Sequence, residues 1–330
     1  MSQPPVSAKT FTVLRGAAGG IDAGLLSGAV VAIGNFDGVH RGHRGVIATA
    51  RKRAQSLGRK TAALTFTPHP RAFLRPQDPL FQLSSERDKL RLLAASGLDG
   101  AIVMRFDAAL AATSAEDFIE RILVGRLGVG GAAIGFDFHF GKNRTGSPAF
   151  LAEQGARLGF AVDIVPPLED EGRPVSSGAV RTALSQGKVV EAAELLGAPW
   201  FASGEVIHGD KRGRELGFPT ANLRLDPSCG LKHGIYAVRV AARGKCYDGV
   251  ASFGRRPMFD DGAPLLEVYL FDFAGELYGT RIEVAFIGWL RHEQKFETVE
   301  QLKHAMLADA AQARDALKRA GNAFPVLGEI

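Results

Sequence analysis

At 330 residues, 46% apolar and 23% charged, the chain has an ordinary globular composition and more length than one core needs, so two domains are expected and wholesale disorder is excluded. The 40 basic and 35 acidic side chains leave a net charge of +5, which suits polyanionic ligands such as nucleotides but is too small and too scattered for a nucleic-acid binder. No apolar run approaches the roughly 20 residues of a membrane span, the N-terminus lacks an apolar signal core, and Cys229 and Cys246 lack metal-type spacing, so a reduced, cytoplasmic setting is the expectation.

The first half alternates strands and helices. Apolar runs suited to buried strands fall at 29–34, 61–66, 101–104, 132–136 and 160–165. Between them, Ser85-Glu86-Arg87-Asp88 and Thr113-Ser114-Ala115-Glu116 resemble capping boxes, and Ser147-Pro148 puts a capping hydroxyl before a proline at the first helical position. Gly58, Gly97, Gly128 and Gly159 stand where those helices should stop. This alternation predicts a doubly wound parallel sheet. After about residue 187 the pattern changes. A short helix is expected over 189–196, then antiparallel-style strands at 201–208, 235–242, 247–253, 265–271 and 282–289, and a last helix over 299–318. Gly and Asp turns between those strands suggest a small barrel. The division reads as a first domain over 1–187, a linker with a short helix over 188–199, and a second domain over 200–330.

The most telling segment of the first half follows its first buried strand: Asn35-Phe36-Asp37-Gly38-Val39-His40-Arg41-Gly42-His43, with a helix running on from it. A helix start at the carboxyl end of a parallel strand is an anion site, because free N–H groups and the helix dipole point at the ligand. Gly38 and Gly42 allow close backbone approach. His40 and His43, three residues apart, can both face the anion and stabilise charge growing on a phosphate. A lone histidine there would more often just satisfy a turn, and Asp37 reads equally as a turn residue or a functional one.

Two later segments suit the same site. The stretch from Gly135 to Gly146, with Asp137 near its start, is aromatic, glycine-rich and basic, fit for a ring with phosphates nearby. Val175-Ser176-Ser177-Gly178-Ala179-Val180-Arg181 reads as a helix start with hydroxyls and an arginine one turn in, able to hold phosphate oxygens; its plainer reading is a serine cap. Thr67-Pro68-His69-Pro70 forms either a crevice wall or a rigid turn. Gly128-Val129-Gly130-Gly131-Ala132-Ala133 fits a dinucleotide fingerprint, but it precedes a strand instead of following one.

In the second half, the segment from Gly204 to Leu223 carries four glycines and four basic residues counting His208, then Pro219-Thr220-Ala221-Asn222. A flexible cationic loop can fold over a triphosphate. Thr220 and Asn222 alternate onto one face of an extended segment and offer uncharged oxygens suited to Mg²⁺. No P-loop motif occurs. Glu267 lies in Leu265-Leu266-Glu267-Val268-Tyr269-Leu270-Phe271, apolar or aromatic on both faces. A carboxylate there costs desolvation unless something offsets it, either a cross-strand ion pair or work as a general base.

Together these motifs resemble the bacterial bifunctional riboflavin kinase/FMN adenylyltransferase family, also called FAD synthetases, over nearly the whole chain. The H-x-G-H motif alone is shared by many adenylyl-transferring enzymes; the glycine-rich loop ending in Pro-Thr-Ala-Asn is far more specific. Further markers are Gly234-Ile235-Tyr236-Ala237-Val238 and the stretch around Glu293-Gln294-Lys295-Phe296. The resemblance implies a Rossmann-like nucleotidyltransferase domain followed by a six-stranded kinase barrel, making FMN from riboflavin and then FAD, with ATP and Mg²⁺ as the other requirements. It implies that His40 and His43 bind ATP phosphates and stabilise adenylyl transfer, with Asn35, Phe36 and Asp37 beside them. Asp137, Ser177 and Arg181 would help to hold that ATP. In the kinase domain it implies an ATP and flavin site drawing on Gly204, His208, Gly209, Arg212, Gly213, Arg214, Gly217 and Pro219. There Thr220 and Asn222 would hold ATP–Mg²⁺ and Glu267 would be the base for the riboflavin 5′-hydroxyl. The implied partners are small molecules, with no nucleic acid or membrane, and self-association, if any, is weak. The chain departs from the family pattern at Gly178 (often Thr), Ser252 (often Asn) and Met258 (often Thr). Rival readings are a chain with kinase activity only, a non-catalytic flavin-binding protein, and an adenylyltransferase for another substrate. Intact His40, His43, Thr220, Asn222 and Glu267 argue against the first two and the second domain against the third.

Overall fold

The computed structural model describes residues 10–170, 172–209, 217–255 and 264–330. Arg212, Gly213, Arg214 and Met258 lie outside the described residues. Two compact units form. One takes the chain up to Leu80, Ser84–Val175 and Val326–Ile330; the other takes Phe81–Leu83 and Ser176–Pro325.

The first unit is built on six parallel strands: β1 (Thr12–Ala17), β2 (Val30–Ile33), β3 (Thr61–Thr67), β4 (Gly100–Arg105), β5 (Gly131–Gly135) and β6 (Ala161–Val165). Their order is β1-β4-β3-β2-β5-β6, and every neighbouring pair is parallel. Central strands such as Val-Val-Ala-Ile of β2 are buried throughout, as expected where helices cover both faces. The connecting helices are α1 (Arg41–Ser56), α2 (Pro70–Leu74), α3 (Glu86–Ala95), α4 (Ala108–Ala112), α5 (Ala115–Asp117), which continues into a π-helical stretch Phe118–Val124, and α6 (Pro148–Leu158). Val31, Ile33, Leu64, Ile102, Met104 and Ile134 pack with Phe118, Ile119 and Leu151 in its core. Ser85 and Ser147 cap α3 and α6 through the N–H groups of Asp88 and Phe150, and Gly159 ends α6 with φ +85°. The cap of α5 is Ser114, which accepts from Asp117 N, one residue later than the Thr113-led box; Thr113 Oγ1 instead donates back to Ala109 O. A two-residue hairpin pairs β7 (Glu169–Asp170) with β8 (Arg173–Pro174).

One strand of this sheet is absent from the sequence expectation. β1 sits at the sheet edge, and its Thr-Val-Leu-Arg-Gly-Ala is nowhere fully buried, so it carries no continuous apolar run. The strand order reverses between β2 and β5, which pair directly. In open parallel sheets that switch point, at the carboxyl ends of the strands, is where ligands bind.

The second unit begins with α7 (Ser177–Ser185) and α8 (Val189–Leu196). The compact units therefore part between Val175 and Ser176, whereas the sequence reading draws its boundary at 187. Six antiparallel strands follow: β9 (Phe201–Glu205), β10 (Thr220–Arg224), β11 (Gly234–Ala242), β12 (Lys245–Arg255), β13 (Pro264–Leu270) and β14 (Arg281–Arg291), in the order β10-β13-β12-β11-β14-β9. A bridge between Ile207 and Asn222 brings the two ends of the sheet together, so the sheet curls into a nearly closed barrel. Tyr236, Phe253 and Phe286 fill its interior. The last helix, α9 (Val299–Arg319), is fixed to the barrel by a two-pronged ion pair from Arg291 to the buried Asp309, at 2.7 and 2.6 Å. The buried Arg239 donates to Asp248 and to the carbonyls of Leu317 and Ala323, holding the helix end. Phe81–Leu83 belong to this unit because Trp200 Nε1 donates to Leu83 O at 2.8 Å, with Phe81 edge-on to the same indole.

Candidate active sites

The first site forms on the loop leaving β2, whose neighbour across the switch point is β5. Phe36 and Val39 hold left-handed conformations, with φ of 51° and 45°. Residues without glycine's freedom keep such angles only where the surroundings over-determine them, and here they do. Phe36 and Val39 are fully buried. Ser84 N and Oγ donate to Asp37 Oδ1 at 3.1 and 3.4 Å, while Gly38 N donates to Ser84 Oγ at 3.1 Å. Arg44 Nε donates to Val39 O, and Lys89 Nζ to Asn35 O. Asp37 thus anchors the loop through Ser84, whatever else it contacts.

That loop delivers His40 as the N-cap of α1. His40 Nδ1 accepts from His43 N at 3.3 Å, so in the neutral ring the proton sits on Nε2, a donor. The two imidazoles stack with centroids 3.6 Å apart and planes 22° from parallel. His43 is held well below its usual pKa, first by burial and then by the positive potential of His40 and Lys89. It is therefore neutral near pH 7. Its Nδ1 is buried without a hydrogen-bond partner among the described residues. The bareness of Gly42 serves the histidine: a Cβ there would lie 3.1 Å from the His40 ring and 3.2 Å from Val175 O.

After β5, Phe136 and Asp137 stand exposed, and Phe138 stacks on Phe140. This gives an aromatic surface next to the carboxyl end of a strand paired with β2. His69 caps α2 through Arg71 N, so Thr67-Pro68-His69-Pro70 is a rigid helix entry at the end of β3. Arg41 pairs with Asp170 of the small hairpin at 2.6 Å. Ser177 and Arg181 lie on α7, in the second unit. Ser176 is the cap there, accepting from Ala179 N at 3.1 Å, and Arg181 Nε donates to Phe81 O. Among the described residues, a Cβ on Gly178 would meet only Ser176 Oγ, at 3.6 Å.

Sequence reasoning missed Lys89. Its one signal was a charge on the apolar face of α3, one turn from the buried Leu93. The fold buries it and aims it at three oxygens around the ends of β2 and β3.

The second site lies at one end of the barrel. Register places Asn222 of β10 and Ser252 of β12 on either side of Glu267 of β13. Leu266 and Val268 point into the core, whereas Glu267 and Tyr269 are only partly covered. The carboxylate therefore lies on the partly covered face of β13 with Asn222 and Ser252 as its cross-strand neighbours, where the sequence suggested apolar surroundings on both sides. Asn222 is buried; its Nδ2 donates weakly to Thr220 O at 3.4 Å, and its Oδ1 has no partner among the described residues. Gly209 packs against this amide so tightly that a Cβ would lie 2.5 Å from Nδ2. Gly204 lies on β9, Gly217 adopts φ +84° before Pro219, and His208 stacks on Tyr278 at 3.9 Å. A small open cleft is lined by Pro219, Thr220, Leu270, Phe273, Leu277 and Tyr278. Ser252 Oγ donates to Glu293 Oε1 at 3.3 Å.

A helix start with two stacked imidazoles at the switch point of a doubly wound sheet, and an antiparallel barrel with a carboxylate in register with an amide whose oxygen has no partner among the described residues, suit a nucleotide-dependent transferase with two sites. Comparison narrows the class. Residues 23–179 match the family model of FAD synthetase, and residues 196–317 that of riboflavin kinase. Proteins called bifunctional riboflavin kinase/FMN adenylyltransferase are similar along most of their length. That of Pseudomonas fluorescens is 42% identical over 87% of this chain and 92% of its own, and that of Escherichia coli K12 is 38% identical over 87% and 92%. The chain belongs to this bifunctional riboflavin kinase/FMN adenylyltransferase family. A crystal structure described as a macrolide-efflux protein from Streptococcus pneumoniae shares the fold, with TM-score 0.81 and 32% identity over 92% of this chain and 99% of that one. Among the described residues, no helix is long and apolar enough to cross a membrane.

Proposed function

We propose that the two activities of this family are divided between the two halves of the chain. The enzyme phosphorylates riboflavin to FMN with ATP, then adenylylates FMN with a second ATP to give FAD and pyrophosphate. The observation that carries the division is that His40 and His43 cluster wholly within one compact unit, and Thr220, Asn222 and Glu267 wholly within the other.

In the barrel, Glu267 takes the proton of the riboflavin 5′-hydroxyl as its oxygen attacks the γ-phosphorus; positioning and charge stabilisation supply the rest. The unpartnered Asn222 Oδ1 and the Thr220 hydroxyl fit Mg²⁺, which accepts uncharged oxygens while keeping water and phosphate in its shell. When bound, the ion supplies charge neutralisation to the phosphates. Gly204, His208, Gly209, Gly217 and Pro219 hold nucleotide or flavin around the cleft.

In the parallel-sheet unit, an FMN phosphate oxygen attacks the α-phosphorus of ATP and pyrophosphate leaves. His40, donating from Nε2, and His43 stabilise the charge growing on the phosphate, with the N-terminus of α1 adding its dipole. Asn35, Phe36 and Asp37 shape that loop, and Asp137, on the loop after β5, helps to hold ATP. The ligands are small molecules, with no nucleic acid among them; the setting is cytoplasmic and any self-association weak.

The test is an incubation of the purified protein with riboflavin, ATP and Mg²⁺, followed by separation of the flavins. FMN should appear first and FAD after it. A His40→Ala/His43→Ala double variant should stop at FMN. FMN without FAD at any level of the unaltered enzyme overturns the bifunctional reading, and FAD from the double variant overturns the site.

A further inference from the structure

The loop under the histidine pair is fastened by a residue that the two half-reactions leave unused. Lys89 extends from α3 and is 8% exposed. Its ammonium donates to Asn35 O at 3.3 Å, Thr65 Oγ1 at 3.2 Å and Phe66 O at 3.4 Å. Thr65, itself fully buried, donates to the same Asn35 carbonyl at 3.1 Å. The amine thus ties the end of β3 to the first residue of the strained Asn35–Val39 loop. All three acceptors are neutral. A neutral donor would satisfy them, and an ammonium among neutral oxygens carries a desolvation penalty that a neutral side chain would not. Burial accordingly pulls the Lys89 pKa down, against the opposing fields of Asp37 and Glu86. Those two carboxylates offset part of the penalty, and the ammonium they help to keep raises the potential at the carboxyl ends of β2 and β3, where an open parallel sheet binds its ligand.

We infer that Lys89 is a positioning residue for adenylyl transfer, locking the Asn35–Val39 loop beneath His40 and His43 and keeping a fixed positive charge under their anion site. The inference rests on the assignment of His40 and His43 to that reaction. The lock sets where the imidazoles sit, because Asn35 begins the five-residue loop that ends at the His40 cap. The charge sets their protonation, because Lys89 and His40 are the charged or titratable neighbours that oppose a proton on His43. Both effects keep His43 a neutral ring in a fixed place.

The test compares Lys89→Met, Lys89→Gln and Lys89→Arg in the full-length protein. Four readouts are taken: kcat and KM for FMN to FAD, the pH profile of that step, riboflavin phosphorylation, and thermal unfolding. Misplacing catalytic groups by about 1 Å costs on the order of 10²-fold in rate. Lys89→Met and Lys89→Gln should therefore lose about that much kcat, with KM for FMN changed less than the rate and riboflavin phosphorylation intact. With the positive neighbour gone, His43 takes a proton more readily, so the acid limb of the FAD-forming profile should move to higher pH. Lys89→Arg, which keeps the charge, should leave that limb in place and recover part of kcat. If the limb does not move in the Met and Gln variants, or Arg fares no better than Gln, the residue is only structural and the inference fails. Should Lys89→Met not fold, the Gln and Arg pair decides by the same comparison. A His40→Ala/His43→Ala double variant measured alongside separates the two failures: FAD synthesis by it sinks the site itself, whereas a dead double variant beside a wild-type-like Lys89→Gln sinks only the role of Lys89.

Discussion

His40 carries two roles that substitution can pull apart. As N-cap of α1 it accepts the His43 backbone N–H through Nδ1, and in the proposed reaction it offers an Nε2 proton to the phosphate. Replacing a good cap by alanine costs about 1 kcal/mol, which for a domain of this size lowers Tm by roughly 2–4 °C. Losing one donor aimed at developing charge costs about 2.7–4 kcal/mol of barrier, or ~10²–10³ in rate. His40→Ala should show both losses. His40→Ser should restore the cap, since a serine oxygen is among the best acceptors for that N–H, while its short side chain cannot replace an Nε2 donor. The serine variant should therefore melt near the wild-type temperature yet convert FMN to FAD ~10²–10³ times more slowly. Riboflavin phosphorylation, proposed for the other unit, is the internal control for both proteins. A serine variant that recovers rate along with stability would reduce His40 to a helix cap and refute the reasoning.

Glu267→Gln keeps the shape but removes the base, so riboflavin kinase turnover should fall by ~10²–10⁴, with conversion of supplied FMN to FAD unchanged; loss of both activities together would point to folding. Gly178→Thr should lower the ATP KM for FAD formation, because among the described residues a new Cβ would meet only Ser176 Oγ, at 3.6 Å, so the added hydroxyl is accommodated without a clash; an unchanged or raised KM rejects it. Burial depresses the folded pKa of His43, so the native state keeps the ring neutral while the unfolded chain protonates below its ordinary 6.5. Stability should then fall as pH drops below that value, by up to about 1.4 kcal/mol per pH unit. The difference in unfolding free energy between the wild type and His43→Gln, followed from pH 7 to 5, should reveal that slope, and parallel curves would contradict it.

Much of the fold was legible because burial and composition agree. Strands β2, β3, β4 and β5 are covered on both faces, and their apolar runs announce them. β1 and β10 were not read as strands for related reasons. β1 is an edge strand of Thr, Arg and Gly mixed with apolar residues. β10 is five residues long, starts on the polar end of a glycine-rich loop, and is recognisable as a strand only beside β13. Phe81–Leu83 escaped attention entirely, since its membership of the second unit depends on Trp200, more than a hundred residues away in the chain.

The sites divide along the same line. His40 and His43 are neighbours in sequence, and the strand before them fixes their place, so their juxtaposition was legible from the motif. Thr220 and Asn222 sharing a face follows from strand periodicity alone. What sequence could not supply were the residues that fold topology brings in from a distance. Ser84 reaches Asp37 from 47 positions away, and Lys89 reaches Asn35 from 54. Glu267 shows the limit from the other side. In Leu-Leu-Glu-Val-Tyr-Leu every neighbour is apolar or aromatic, so period two assigns Glu267 to a face without saying which face is the core. Only the register with Asn222 and Ser252 turns the carboxylate toward polar neighbours. That register supports the chemistry proposed for it. Beside the unpartnered Asn222 oxygen, a partly covered carboxylate can exchange a proton with a bound hydroxyl, which a carboxylate sealed in the barrel core could not do.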